Sequence, residues 1–314
     1  MNSDMEGKIA KIVDCIVEDA EKHHKLNNLS VHLQPDKKQI IQMIDRLQMI
    51  LFPAQYGNKK VSEFAVKYQL GSLVEEVYTI LIDQISLALL QRPDYQDSTK
   101  QQRKQDAAVL AERFLDTLPR IHEYLKTDLQ AAFDGDPAAY NTDEIIFSYP
   151  GFYAIMVNRL AHELHLMKIP LIPRIMTEHA HSLTGVDIHP GATIGRYFFI
   201  DHGTGIVIGE TTVIGDRVKI YQGVTLGGLS TRAGQGLRNK KRHPTIGNDV
   251  TIYSNASILG GETVIGEGCI IGGSAFITHS VPAHMRVSMR EPELQYKPDV
   301  KATTDANQNC VYEI

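Results

Sequence analysis

The spacing of apolar residues changes once along the chain. Over residues 36–168 it is helical: Ile40, Ile44, Leu47 and Leu51 fall on one face before Pro53 closes the segment. Leu110, Phe114 and Leu118 continue in the same spacing, and Ile121, Leu125 and Leu129 resume it beyond Pro119. Pro119 has no N–H to donate, so it starts a new helix or kinks the old one. Tyr153, Val157, Leu160 and Leu164 form a further stripe. These faces are read as core or interface.

After residue 187 the period becomes six. Ile188, Ile194 and Ile200 set it; the phase slips by two, and Ile208, Ile214, Ile220 and Leu226 continue. After a break, Ile246, Ile252 and Ile258 resume, and one inserted residue leads to Ile265, Ile271 and Ile277. Glycine often follows the aliphatic residue, as at Gly195, Gly209, Gly215, Gly227, Gly247, Gly266 and Gly272. Four positions on, the residue is small or β-branched: Ala192, Thr204, Thr212, Val218, Val224, Val250, Ala256, Cys269 and Ala275. This is a hexapeptide repeat of a parallel β-helix. Each hexapeptide supplies one short strand and one corner, and three close a triangular coil. The aliphatic residue points inward, and the glycine lets the corner turn without a Cβ clash.

The break, residues 228–241 (GLSTRAGQGLRNKK), is too polar and glycine-rich for a coil and is expected to protrude as a loop. Past Pro282 the repeat fades, and the polar stretch 297–309 is expected to be mobile. The predicted architecture is therefore α+β: a helical domain over 1–180, a β-helix over 181–290 and a C-terminal tail over 291–314.

Composition narrows the setting. The 314 residues carry a net charge of -5, which gives no basic footprint for nucleic acid. No apolar run approaches the length of a membrane span, and MNSDMEGKIAKIVD lacks the layout of a signal peptide. Three cysteines, Cys15, Cys269 and Cys310, are too few and too scattered for a disulfide framework, and no zinc-type CxxC occurs. A cytoplasmic chain without metal or cofactor is expected. Cys269 falls in the inward small-residue slot and is read as core.

A bare prism has no cleft, so chemistry must come from polar residues that interrupt the repeat. Three segments do so: Asp187 in VDIHPGATIG, Asp201–His202 in FIDHGTG, and Arg242–His243 in KKRHPTIG directly after the loop. Together with YQGVTLGGLSTR and KRHPTIGNDVTIYSNASILGG, these segments resemble the serine acetyltransferases. The resemblance spans roughly residues 130–297 and includes DGDPAAYNTDEIIFSYPGFYAI ahead of the prism. It is strongest to the bacterial subgroup with a longer N-terminal extension.

The resemblance implies a left-handed β-helix and transfer of an acetyl group from acetyl-CoA to the hydroxyl of L-serine, the first step of cysteine biosynthesis. His202 is then the general base, and histidine titrates in the range this needs. Asp187 is its orienting partner. Asp136 and Asp201 suit the substrate ammonium, and Arg242 the carboxylate, which a guanidinium can grip bidentately. His243 falls on the carboxylate side or at the tetrahedral intermediate. Gly228, Ser254 and Gly273 match positions that hold acetyl-CoA, and Arg232, Arg238, Lys240 and Lys241 are expected near its phosphates. The family further implies a homotrimer or a dimer of trimers, inhibition by L-cysteine, and docking of the terminal Ile314 into O-acetylserine sulfhydrylase. Rival readings are a zinc lyase on the same prism, an acetyltransferase acting on a sugar or antibiotic, and a structural solenoid. The first needs three converging histidines, and His202, His243 and His279 of the prism stand in unrelated contexts.

Overall fold

The computed structural model describes residues 3–22, 34–57, 63–230 and 232–289. The tail, Cys310 and Ile314 lie outside the described residues. The helices are α1 (Ser3–Lys22), α2 (Lys37–Leu51), α3 (Pro53–Tyr56), α4 (Glu63–Ala88), α5 (Lys100–Leu115), α6 (Leu118–Gly135), α7 (Thr142–Ser148), α8 (Pro150–Leu166) and α9 (Ile172–Thr184). None of them is long and apolar enough to cross a membrane.

Local signals explain the boundaries. Asp36 caps α2 by accepting from the Lys38 N–H at 2.8 Å, and Thr99 caps α5 in the same way through Gln102. α2 buries Ile40, Met43, Ile44, Leu47 and Leu51 and stops where Pro53 opens α3. Pro119 lies in the first turn of a new helix, α6, so the α5 stripe and the α6 stripe belong to separate elements. α9 ends at Gly185, whose φ of +69° is the left-handed C-terminal signal.

The prism follows at once. Its strands are β1 (Asp187–Ile188), β2 (Thr193–Ile194), β3 (Phe199–Asp201), β4 (Val207–Ile208), β5 (Val213–Ile214), β6 (Lys219–Tyr221), β7 (Thr225–Gly227), β8 (Thr245–Ile246), β9 (Thr251–Ile252), β10 (Ser257–Leu259), β11 (Val264–Ile265), β12 (Ile270–Ile271), β13 (Phe276–Ile277) and β14 (Arg286–Val287). They form three parallel sheets, one per face. The first face runs β1-β4-β7-β10-β13, the second β2-β5-β8-β11, and the third β3-β6-β9-β12-β14. The chain is thus a helical region followed by a parallel β-solenoid of about five turns, as each face stacks four or five strands.

Every predicted inward aliphatic residue, from Ile188 to Ile277, is buried. One expected inward position differs. Thr204 is exposed, and Ile206 fills its slot, because two extra residues lengthen the turn between β3 and β4. The glycines after the second-face strands have a more specific reason than turning. A Cβ on Gly195, Gly215, Gly247 or Gly266 would lie within 2.4–2.8 Å of an atom in the coil above. These are close-approach glycines that let successive coils stack. Cys269 is buried, with its thiol donating to the Pro282 carbonyl at 3.0 Å.

A buried ion pair seats the helices on the first coil. Arg159 in α8 grips Asp128 in α6 through Nε at 2.6 Å and Nη2 at 2.8 Å, and also donates to the Gly195 carbonyl at 2.7 Å. Asp128 in turn accepts the Phe198 N–H at 2.9 Å. Burial pushes the Asp128 carboxyl up, against the pull of Arg159. Removing one partner would strand a buried charge, so this clamp fixes the middles of α6 and α8 relative to the prism.

Candidate active site

The two-residue insertion after β3 builds the first half of the site. It pushes His202 out of the inward pattern into the left-handed region, φ +59°, with 72% of its side chain exposed. Its Nε2 lies 3.9 Å from Oδ1 of Asp201, the last residue of β3. The other carboxylate oxygen of Asp201 pairs with the Lys219 ammonium at 3.2 Å. Lys219, the first residue of β6, donates to the Gly135 carbonyl at 2.7 Å, at the last residue of α6. It also lies 4.7 Å from the ring centres of Phe199 and Tyr221.

Asp136 follows Gly135. Its carboxylate accepts from the Tyr149 hydroxyl at 2.6 Å and from the Ala138 N–H at 2.8 Å. The tyrosine bond, with the backbone bond and the charges of Lys219 and His202, holds the Asp136 carboxyl below its ordinary value. The same bond pushes Tyr149 up to about 12. Asp136, Asp201 and His202 are therefore brought together at the edge between the third and first faces, with Lys219 and Tyr149 beside them.

Asp187 opens β1, below that edge on the first face. Its carboxylate forms a group with Glu178 and His181 of α9, their ligand-type atoms all within 4.8 Å of one another. The ion pairs of the described residues join His202 to Asp201 and not to Asp187. Ser254 and Gly273 stack one coil apart on the His202 edge: a Cβ on Gly273 would lie 3.2 Å from the Ser254 carbonyl.

The second half lies across the first face, at its edge with the second. His243, two residues before β8, is buried with Nδ1 accepting the Thr211 N–H at 3.1 Å. That bond places the proton of the neutral ring on Nε2, leaving an N–H donor. Burial, then the neighbouring Arg242, lowers His243 to about 4, so the neutral form dominates near neutrality. Gly209 makes room for the ring; a Cβ there would stand 2.0 Å from His243 Cδ2. The Arg242 guanidinium pairs with Glu210, whose carboxyl the pairing holds down against burial. Gly228 starts the loop from this same edge.

The one-residue insertion before Ile265 also belongs here. A Cβ on Gly261 would meet the Lys241 carbonyl at 2.5 Å, so the inserted turn packs against the base of the loop. Lys241 does not reach outward: its Nζ donates to the carbonyls of Thr211 at 2.6 Å and Pro244 at 3.2 Å. Arg232, Arg238 and Lys240 remain exposed on the loop.

Within one chain, then, the candidate residues fall in two groups on opposite edges of the first face. Sequence reasoning missed Lys219, Tyr149 and Glu210. Lys219 reads as an ordinary outward strand residue, and Tyr149 as a helix-start residue ahead of Pro150. Glu210 sits in the GET triplet after a glycine of the repeat, and that break was its only signal.

No family model matches the chain. A plasmid-borne serine acetyltransferase of Synechococcus elongatus is 42% identical over 275 residues, which are 86% of each chain. The Bacillus subtilis serine acetyltransferase is 48% identical over 158 residues, 50% of this chain and 70% of that one. Among solved structures, Entamoeba histolytica serine acetyltransferase 1 in complex with L-cysteine superposes with a TM-score of 0.67 at 36% identity, covering 82% of this chain and 87% of that one. Soybean serine acetyltransferase complexed with serine gives 0.51 at 28%, covering 80% and 96%. With a relative of this identity matched over most of both lengths, the chain belongs to the serine acetyltransferases, a family of acyltransferases.

Proposed function

We propose that the protein transfers the acetyl group of acetyl-CoA directly to the hydroxyl of L-serine, giving O-acetyl-L-serine and CoA. The observation that carries this reading is the His202 edge: an exposed imidazole beside two carboxylates. A substrate with a hydroxyl and an ammonium needs that pairing. Asp136 and Asp201 receive the ammonium, while His202 accepts the hydroxyl proton as serine oxygen attacks the thioester carbon. Asp187 orients the ring and balances the imidazolium. The tetrahedral intermediate then breaks the C–S bond, and the imidazolium returns its proton to the CoA sulfur. No acyl-enzyme and no cofactor beyond the co-substrate is required.

Arg242 and the Nε2–H of His243 take the serine carboxylate or the oxyanion. Because they occupy the opposite edge of the first face, they serve the His202 of a neighbouring subunit in a homotrimer, alone or paired as a dimer of trimers. Acetyl-CoA lies along that junction, against Ser254 and Gly273 from one prism and Gly228 with the exposed loop cations from the next. L-cysteine, which the Entamoeba relative holds, competes at the serine site. Ile314 docks into O-acetylserine sulfhydrylase, where its terminal carboxylate imitates that of the amino-acid substrate. The test is CoA release with serine against threonine, homoserine and a sugar acceptor. Serine should exceed the others in kcat/KM, and preference for a sugar would overturn the proposal.

A further inference from the structure

Two carboxylates stand near the His202 ring. Asp201 approaches from β3 and Asp136 from the end of α6, and the Tyr149 hydroxyl comes from the start of α8. Carboxylates favour the protonated ring, and a protonated ring cannot accept a proton. Lys219, from β6, brings a cation into this cluster. Its position is built rather than incidental. It is held by the Gly135 carbonyl at 2.7 Å and by Asp201 Oδ2 at 3.2 Å, with the rings of Phe199 and Tyr221 at 4.7 Å. Gly135 is what permits the approach, since its Cβ direction points at Phe199, 2.8 Å away, and at the Lys219 Nζ, 3.7 Å away.

We propose that Lys219 is a positioning residue that keeps His202 competent as a base, by engaging Asp201 on its far oxygen and by offsetting one of the two negative charges beside the ring. It also ties the α6 terminus, and so Asp136, to the prism edge that carries His202. This deepens the reading given above and rests on His202 as the base.

The test compares Lys219→Met and Lys219→Arg with the parent in two ways. The first is the pH profile of kcat/KM. The second is the pH dependence of His202 modification by diethyl pyrocarbonate, followed by mass spectrometry on the full chain, which needs no turnover. Loss of a unit charge within several ångströms, partly screened, should move both curves to higher pH by about half to one unit. Lys219→Arg should restore them, and Lys219→Met should regain most of its activity on the alkaline side. Unmoved curves in both measurements would overturn the inference. A labelling curve that moves while the kinetic limb stays fixed would keep the lysine's effect and refute His202 as the base. Should Lys219→Met unfold, Gly135→Ala provides a second arm. It displaces the carbonyl anchor but leaves the charge, so it should raise the KM for serine with a smaller move of either curve. An unchanged KM for serine would refute the anchoring role.

Discussion

Gly209→Ala offers the sharpest perturbation of the second half of the site, because a single methyl meets the His243 ring. The new Cβ would stand 2.0 Å from His243 Cδ2 and 2.2 Å from Nε2, where ordinary contact begins at 3.4 Å. The backbone cannot yield easily: β5 and β8 are paired in register, and the His243 N–H is held by Thr211 Oγ1 at 3.1 Å. The ring must therefore leave its seat and lose the Thr211 N–H and hydroxyl contacts at 3.1 and 2.9 Å. Overpacking and a lost buried partner together cost about 2–4 kcal/mol of stability, with the prism still folded. Displacing a donor aimed at the carboxylate or oxyanion should lower kcat/KM for serine on the order of 10²–10³. A thiol-reagent assay of CoA release and a thermal melt measure both. In a His243→Ala background the stability cost should largely vanish while the activity losses coincide instead of multiplying. A Gly209→Ala enzyme within a few-fold of the parent, or fully additive losses, would refute the reasoning.

Three further outcomes follow from the same geometry. Arg242→Ala should raise the KM for serine by about 10- to 100-fold, the scale of a lost charge-assisted hydrogen bond, and that for acetyl-CoA far less; equal changes would make it a loop anchor. Tyr149→Phe removes the main group holding Asp136 below its ordinary value. Since that carboxylate is the binding form, the rise in serine KM on acidification should begin at higher pH than in the parent; an unchanged profile would separate Asp136 from ammonium binding. Deleting Ile314 alone should abolish binding to the sulfhydrylase of the same organism while leaving acetyl transfer intact, as calorimetry and the CoA assay would read.

The solenoid was legible because its core obeys one rule: Ile188 through Ile277 recur at a fixed period, and each is buried. More informative were the two short insertions in that period. The slip after Ile200 is the turn that carries His202, and the extra residue before Ile265 is the turn that packs under Arg242. At Pro119 the missing N–H left a new helix or a kink open, and the chain takes the first. Thr204 was misassigned to the interior because simple counting ignored the insertion just ahead of it. Lys219, Tyr149 and the Asp128–Arg159 clamp were not legible. Their partners lie 84, 13 and 31 positions away, and such pairs carry no period. Nor can linear order reveal that the DHG and RHP segments sit on different edges of one face.

That separation is the centre of the account, and subunit mixing tests it most directly. Assayed at serine well below the parental KM, His202→Ala and Arg242→Ala should each keep at most about a tenth of parental activity, the first through a loss on the order of 10²–10⁴ in kcat and the second through its raised KM. If each site takes its His202 edge from one subunit and its Arg242 edge from the next, refolding an equal mixture should recover about a quarter of parental activity, the chance that both edges at a junction are intact. Mixed trimers no more active than the two variants apart, at verified subunit exchange, would contradict the shared site.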